Sequence, residues 1–304
     1  MTGTALILGA SGRFGRHAAE ALWNAGWRVR LFNRQTDDLM TSARDVDAII
    51  NAWNPPYPQW AKRVPELTEH VIRAAQTSGA TVLIPGNIYG YGSGLPRTIK
   101  PDSPKNARNT LGRIRNQMEA AYRAARVKTI IMRAGDFIDT EASGNWFDAI
   151  ITAKIAKGKI ISPGDPDLPH AWAFLPDLAR AAVTLADKRE TLETFQEVLF
   201  PGHTLSIRDI AALSEKSTGR PVATTEMNWL PLWCAAPFWK TGRHLIEMRY
   251  LWNRPHSIDA RQVKTLLPEF RETDPLTAIA SALGQTNVDP NQSMPGRAHH
   301  LAAE

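Results

Sequence analysis

The stretch Gly9-Ala10-Ser11-Gly12-Arg13-Phe14-Gly15 decides the fold of this chain, because it joins an apolar run to an amphipathic one. The apolar run covers residues 4–8 and has the length of a buried strand. After the glycines, apolar residues recur at helical spacing until Gly26, and residues 27–32 have the pattern of a second strand. A strand, a glycine-rich turn, a helix and a further strand predict a parallel βαβ unit with a right-handed crossover.

The glycine loop has the spacing G-x-x-G-x-x-G, and each glycine has a physical reason. The first permits a tight turn, the second removes a side chain where a diphosphate would approach the backbone, and the third lets the helix pack closely on the sheet. The helix N-terminus adds free N–H groups and the positive end of the helix dipole. The loop therefore predicts dinucleotide binding, and a purely structural turn is the alternative.

The end of the second predicted strand distinguishes between cofactors. It reads Leu31-Phe32-Asn33-Arg34, with no acid at its tip to bind the ribose hydroxyls of NAD. Arg34 and Arg13 could both face a 2′-phosphate, which guanidinium groups bind well. We therefore expect NADP (NADPH) rather than NAD, the alternative being two solvated surface arginines.

Alternating strand and helix patterns continue to about residue 135, with further strands predicted at 47–52, 81–84 and 129–132. This alternation predicts an α/β fold, a doubly wound parallel sheet of the Rossmann type. Proline, glycine and tryptophan become frequent beyond this point, and Asp177 is expected to cap a helix. We divide the chain into a dinucleotide-binding domain at 1–135, a smaller substrate-side α+β region at 136–284 interwoven with the sheet, and a flexible tail at 285–304.

Composition excludes several classes of protein. The 304 residues are 43% hydrophobic and 22% charged, which is ordinary for a globular chain, and no apolar run could span a bilayer. A single cysteine, Cys234, and the absence of a signal-peptide pattern predict a cytoplasmic protein. We find no nucleic-acid module and no metal-ligand cluster. The aromatic stretch 229–239 is expected to be mostly core, or else to wall a substrate pocket or form a homodimer or membrane-surface patch.

With these features the chain resembles the extended short-chain dehydrogenases/reductases of the NAD-dependent epimerase/dehydratase type, over residues 4–284. Besides the glycine loop, the resemblance rests on Asn87-Ile88-Tyr89-Gly90, Met132-Arg133-Ala134-Gly135-Asp136-Phe137 and Phe174-Leu175-Pro176-Asp177-Leu178-Ala179. The stretch from Arg34 to Asp47 leaves little room for the family's usual third strand.

The resemblance also implies a catalytic Tyr-x-x-x-Lys pair, and this chain departs from it. Leu111 stands where the tyrosine belongs, Arg115 where the lysine belongs, and Pro85 where a serine is expected. The chain is more similar to an atypical branch with an Asn-x-Tyr-x-Tyr-Gly segment, here residues 87–92, and with a proline and histidine ahead of an aspartate, here Pro169, His170 and Asp177.

The candidate site residues fall into three groups. The expected cofactor-binding residues are Gly9, Ser11, Gly12, Arg13, Phe14, Gly15, Asn33, Arg34, Ala52 and Arg115. The candidates for catalytic proton transfer are Tyr89, Tyr91 and His170, each of which could instead be a packed, hydrogen-bonded structural residue. The expected pocket residues are Asn54, Asn87, Asp136, Phe137 and Trp172.

Two functions follow from these expectations. The first is an NADP(H)-dependent oxidoreductase or epimerase-like enzyme that moves hydride to or from a small organic carbonyl or hydroxyl compound, with non-standard acid–base residues. The second is a non-catalytic protein of the same fold that senses NADP(H) or keeps it as a structural or assembly element, which the departures at Leu111 and Pro85 motivate.

Overall fold

A parallel sheet of six strands forms the centre of the computed structural model, which describes residues 3–285. In chain order the strands are β1 (Thr4–Leu8), β2 (Arg28–Phe32), β3 (Ala48–Asn51), β4 (Thr81–Gly86), β5 (Thr98–Ile99), β6 (Thr129–Arg133), β7 (Asp136–Ile138), β8 (Lys159–Ser162), β9 (His170–Phe174), β10 (Phe195–Leu199), β11 (His203–Leu205), β12 (Ala223–Glu226) and β13 (Ser257–Ile258). The α-helices are α1 (Arg13–Asn24), α2 (Leu39–Ser42), α3 (Trp60–Ser78), α4 (Thr110–Ala125), α5 (Leu175–Asp187), α6 (Ile207–Thr218), α7 (Leu230–Ala235), α8 (Lys240–Glu247), α9 (Arg261–Leu266) and α10 (Pro275–Ala282). The predicted tail lies outside the described residues from position 286 onward.

The central sheet has the strand order β10-β6-β4-β3-β1-β2, and every pairing in it is parallel. The order reverses at β1, which pairs with β2 on one side and β3 on the other. In open sheets of this kind ligands bind at that reversal, beyond the carboxyl ends of the strands. The doubly wound Rossmann fold predicted from the sequence is confirmed.

The sheet has no strand beyond β2 among the described residues. Between β2 and β3 the chain forms only α2, a helix of four residues, so β2 stands at the edge of the sheet. This agrees with the short stretch of sequence available there. The strand side chains alternate between two cores. Leu6 and Leu8 pack with α3 and α4, whereas Ala5 and Ile7 pack with α1 and α5.

The chain beyond residue 135 forms small sheets and also returns to the large one. Strands β11, β9 and β7 form one small sheet, while β12 pairs with β8 and β13 with β5. A third core, which includes Phe147, Trp172 and Ile210, joins these elements to α6 and α10. Strand β10 completes the central sheet beside β6.

The expectation that Asp177 caps α5 is wrong, because Phe174 occupies the cap position and Asp177 lies inside the first turn. The Asp177 carboxylate instead accepts hydrogen bonds from the backbone N (2.7 Å) and Oγ1 (2.8 Å) of Thr273 and from Arg180 (2.6 Å). It therefore fastens the segment before α10 to the Rossmann layers. None of the helices described between residues 3 and 285 is long and apolar enough to cross a bilayer.

The contact between Gly15 and Gly9 generates a prediction about stability. A Cβ atom on Gly15 would lie 2.1 Å from the carbonyl oxygen of Gly9, which is backbone and cannot move aside. We expect Gly15→Ala to lower the free energy of unfolding by about 2–3 kcal/mol, measured by urea denaturation. Gly94→Ala is the control, because a Cβ there meets nothing within 4 Å, and it should change stability by less than about 0.5 kcal/mol. Equal stability of Gly15→Ala and the parent protein would contradict this packing.

Candidate cofactor and active site

A cavity of about 1150 Å³ opens at the carboxyl ends of β1, β3, β4 and β6. Most of the residues predicted from the sequence as site residues line it: Gly9, Ser11, Gly12, Arg13, Phe14, Arg34, Ala52, Asn54, Asn87, Tyr89, Arg115, Asp136 and Phe137. Others do not line its wall: Gly15, Asn33, Tyr91, His170 and Trp172.

The glycine loop forms one end of this cavity. Gly9 has a φ of +86°, and its carbonyl oxygen accepts a hydrogen bond of 2.9 Å from the N–H of Gly12. Gly12 stands at the N-cap of α1, with no side-chain cap and no acid in the first helical turn. The first amides of a helix lack intrahelical partners, so this end of the cavity offers N–H donors.

A segment beyond β7, residues 139–146, is fastened to α1 beside the loop. Arg13 donates to the carbonyl oxygens of Ser143 (2.9 Å) and Gly144 (2.6 Å). Arg16 pairs with Asp139, and the Nε2 atom of His17 lies 2.8 Å from Asp139 Oδ1. Burial works against ionisation of Asp139, but hydrogen bonds from His17, Ser143 and Arg16 lower its pKa to about 2. The guanidinium of Arg13, expected at a 2′-phosphate, is therefore engaged with this segment.

The tip of β2 carries both a cation and a carboxylate. Arg34 is exposed and lines the rim of the cavity. The backbone N–H of Asn33 donates to Asp37 Oδ2 over 2.8 Å, while Asn33 Oδ1 accepts from the N–H of Gln35 over 3.0 Å. Asp37 was missed in the sequence because it follows the end of β2 by five residues, and the turn at residues 33–37 brings it back to the tip.

Two tyrosines form a hydrogen-bonded pair in the cavity wall. The hydroxyl oxygens of Tyr57 and Tyr89 lie 2.8 Å apart. Burial raises the pKa of both phenols, that of Tyr89 the more strongly, so both remain protonated at neutral pH. Tyr57 was not predicted. Its position could have indicated a role, because Tyr57 follows β3 and Pro55-Pro56, just as Tyr89 follows β4. The two strands are neighbours and parallel, so both tyrosines lie at the same edge of the sheet.

Arg115 is a buried cation on the same wall. Its guanidinium carbon lies 4.3 Å from the centre of the Trp60 ring, and one terminal nitrogen donates to Asn54 Oδ1 over 3.0 Å. Its Nε atom is buried without a hydrogen-bond partner, and it forms no ion pair with any acid in the described part of the chain. Burial lowers its pKa. A buried guanidinium of this kind favours an anionic or oxygen-rich ligand in the cavity.

His170 does not line the cavity itself but contacts Asp136, which does. Its Nε2 atom lies 2.7 Å from Asp136 Oδ2, and its ring stacks on Trp252 with 4.4 Å between centroids. Trp172 lies beside it, 4.8 Å between centroids, and its indole donates to the carbonyl of Leu205. The histidine therefore orients the carboxylate that faces the cavity.

A network of buried charges holds the backbone of Asn87, through a hydrogen bond from Arg133 to its carbonyl oxygen. The fully buried Arg133 guanidinium donates to Glu119 Oε2 (2.8 Å), to Glu197 Oε1 (2.8 Å) and to the carbonyl oxygen of Asn87. Lys105 pairs with both glutamates, at 2.8 and 2.6 Å. Burial opposes ionisation of Glu119, but Arg133 and Lys105 lower its pKa to about 2.

Tyr91 packs beside this network rather than on the cavity. The guanidinium carbon of Arg133 lies 5.9 Å from the centre of its ring, and burial raises its pKa. Within residues 3–285 no group of three or more histidine, cysteine, aspartate or glutamate side chains could hold a metal ion.

Comparison with known proteins rests on structure alone. No protein-family model matches the sequence, and no curated protein does. Of the solved structures that match, MoeE5 in complex with UDP-glucose and NAD is 16% identical with a TM-score of 0.73, covering 93% of this chain and 98% of that one. The UDP-glucuronic acid 4-epimerase from Bacillus cereus, in complex with UDP-glucuronic acid and NAD, is 14% identical with a TM-score of 0.71, covering 93% and 98%.

A third match, RMD from Pseudomonas aeruginosa complexed with NADPH, is 16% identical with a TM-score of 0.68, covering 94% of this chain and 97% of that one. The chain therefore shares the fold of these structures over nearly its whole length. This shared fold agrees with the resemblance drawn from the sequence. The assignment of Leu111 and Arg115 to the family's tyrosine and lysine positions stays a prediction.

The depressed pKa of Glu119 generates a prediction about acid stability. Because the pKa is about 2 in the folded state and near 4.5 in the unfolded state, this carboxylate stabilises the fold above pH 4.5 and ceases to do so as the pH falls towards 2. We expect Glu119→Gln to be less stable than the parent protein at pH 7 by roughly 3 kcal/mol. The difference should shrink as the pH falls, as measured by urea denaturation at each pH. A difference that stayed constant from pH 7 to pH 2 would contradict the ion-pair network.

Proposed function

We propose that this protein is an NADP(H)-dependent oxidoreductase or epimerase-like enzyme acting on a small organic carbonyl or hydroxyl compound. The observation that carries the proposal is the continuity of one cavity. It runs from the glycine loop at the head of α1 to the Tyr57–Tyr89 pair, Arg115 and Asp136. A dinucleotide site and a cluster of proton-bearing groups thus share one space, as hydride transfer coupled to proton transfer requires.

The loop and the cavity fit a dinucleotide. A Cβ atom on Gly12 would lie 3.1 Å from the carbonyl oxygen of Gly9, and one on Gly15 would lie 2.1 Å from it. The conformation of the phosphate-binding loop therefore depends on glycine at both positions. The cavity volume also exceeds the roughly 300–1,000 Å³ of an ordinary small-molecule pocket, which leaves space for cofactor and substrate together. The amides at the head of α1 would hold the diphosphate, and Arg115 the nicotinamide ribose. The nicotinamide would supply or accept the hydride.

We favour NADP over NAD because of the tip of β2. Arg34 lines the cavity rim without an ion pair among the described residues, so its guanidinium is available to a 2′-phosphate. Asp37, the acid that could instead bind ribose hydroxyls, already accepts hydrogen bonds from the Asn33 N–H and from Thr36 Oγ1, each of 2.8 Å. The similar structures hold NAD in one case and NADPH in another, so they do not decide the preference.

Cofactor preference is tested by Arg34→Ala. We expect it to weaken NADPH binding by about tenfold or more and NADH binding by less than about twofold, because only NADPH carries the 2′-phosphate. Calorimetric titration measures both constants. Arg28→Ala, an exposed arginine at the opposite end of β2, is the matched control and should change neither constant. Equal weakening of both cofactors by Arg34→Ala would refute the assignment.

Proton transfer is assigned to the Tyr57–Tyr89 pair. Burial raises the pKa of both phenols, so the pair holds its protons at neutral pH. A protonated phenol in the cavity wall can donate a proton to the oxygen of a carbonyl that is being reduced. Asp136, held by His170 at 2.7 Å, faces the same cavity and can accept a hydrogen bond from a substrate hydroxyl. In this proposal His170 positions Asp136, and Tyr91 has a structural role.

This assignment is tested with tyrosine variants. NADPH oxidation is followed with a panel of aldehydes, ketones, quinones and nucleotide sugars, the last because two of the similar structures are complexes with UDP-sugars. Tyr57→Phe and Tyr89→Phe should each lower kcat by about 100-fold while leaving the NADPH dissociation constant within about twofold. Tyr91→Phe, a buried phenol off the cavity, is the control and should keep its activity. Full activity of both cavity variants would overturn the assignment.

The second candidate function is non-catalytic NADP(H) binding, for sensing or for a structural or assembly role. Leu111, at the position assigned to the family's tyrosine, is fully buried in the core and has no proton to give. Tight NADPH binding without turnover of any compound in the panel would favour this function over the enzyme.

The remaining expectations also stay proposals. We treat residues 136–284 as the substrate-side region, with a small molecule as the partner. A single cysteine favours the cytoplasm. A homodimer is a further prediction, and analytical ultracentrifugation of the full chain measures the oligomeric state.

A further inference from the structure

Exposed apolar side chains are concentrated in one short part of the chain. Of the seven large hydrophobic residues exposed in the described structure, four lie in or between α7 and α8. Their exposed fractions are 66% for Leu230, 51% for Trp233, 94% for Phe238 and 47% for Trp239. We call residues 230–243 the basic apolar segment. Core packing, the main expectation for this stretch, holds for Trp229, which is buried and donates to the carbonyl of Pro163, but not for these four residues.

The basic apolar segment is a closed hairpin rather than a loose loop. A Cβ on Gly242 would lie 2.8 Å from Trp239 and 3.3 Å from Leu232, which shows how closely the start of α8 approaches α7. Arg243 donates to the carbonyl oxygens of Ala236 and Pro237, the residues just before Phe238. The turn that carries Phe238 and Trp239 is therefore held in place by a cation of the same segment.

The basic apolar segment and the residues that flank it carry positive but no negative side chains. From residue 227 to residue 246 the sequence contains Lys240 and Arg243 but no aspartate or glutamate. Lys240 is exposed, and neither cation forms an ion pair with an acid in residues 3–285. Exposed tryptophan, phenylalanine and leucine beside lysine and arginine are typical of segments that lie in the interface of an anionic bilayer.

The same segment reaches the cavity. Trp239 is half exposed and also lines the cavity, together with Thr241 and Leu245 of α8. A partner bound to the exposed side of Trp239 would therefore lie next to the wall of the cavity.

We propose that the basic apolar segment docks this protein on an anionic phospholipid membrane surface, with Leu230, Trp233, Phe238 and Trp239 inserted among the headgroups. The proposal does not depend on the redox function. A second copy of the chain is a poorer occupant, because a two-fold interface through this face would set the two cations of one copy near those of the other. A bilayer of anionic lipid complements both the apolar side chains and the charge.

The test is co-sedimentation of the full chain with vesicles. Phosphatidylcholine vesicles are compared with vesicles of equal parts phosphatidylcholine and phosphatidylglycerol. We expect binding to the anionic vesicles that weakens with added salt. Phe238→Ser and Trp233→Ser should each reduce the partition coefficient by about tenfold. Trp23→Ser is the matched control, because Trp23 is 56% exposed but lies on α1, and it should bind like the parent protein.

The one cysteine gives an independent readout. Cys234 is exposed within the basic apolar segment and is the only cysteine of the chain, so a polarity-sensitive fluorophore can be attached there alone. Its emission should shift to the blue on adding anionic vesicles and not on adding phosphatidylcholine alone. Thermal unfolding of each variant verifies that these exposed substitutions leave the fold intact.

Three results would overturn the proposal. The first is that the protein associates with neither kind of vesicle. The second is that Trp23→Ser, Trp233→Ser and Phe238→Ser all bind the vesicles equally well. The third is that the protein forms a concentration-dependent dimer without lipid and that Phe238→Ser abolishes this dimer. The last, measured by analytical ultracentrifugation, would assign the segment to a second copy of the chain instead.

Discussion

The close contact between the glycine loop and the head of α1 is the constraint on which the rest of this structure depends. Gly15 lies against the carbonyl of Gly9, so the first turn of α1 starts directly beyond the end of β1. The amides of this first helical turn consequently lie at β1, where the strand order reverses and the cavity opens. A side chain at that contact would move the helix, and with it the donors, away from the site.

Two buried arginines, Arg133 and Arg115, have different surroundings and therefore different expected roles. Arg133 is fully buried, but two glutamates and the Asn87 carbonyl satisfy it, so it stabilises the wall of the cavity. Arg115 is also buried, yet within residues 3–285 its partners are an amide oxygen, a thioether and an aromatic face, with no carboxylate in an ion pair. A buried guanidinium with an unfilled donor is costly, so a ligand in the cavity that accepted a hydrogen bond from Arg115 would lower that cost.

The sequence predicted the features that depend on local chemistry. The βαβ opening followed from glycine spacing and hydrophobic periodicity, and the lack of a strand beyond β2 followed from the short chain between Arg34 and Asp47. Contacts between distant residues could not be predicted in this way. Tyr57 and Tyr89 are 32 residues apart and meet only because β3 and β4 are adjacent in register. Arg13 reaches carbonyls 130 residues along the chain, which no local pattern indicates.

In the function proposed above, backbone amides at the head of α1 bind the diphosphate of a nicotinamide dinucleotide. Hydrogen–deuterium exchange followed by mass spectrometry measures those amides directly, in peptides that cover residues 9–16, with and without NADPH. Exchange in these peptides should slow on adding NADPH, while peptides of β12, which does not line the cavity, should stay unchanged. Unaltered exchange at residues 9–16 under saturating NADPH would show that these amides do not bind the diphosphate.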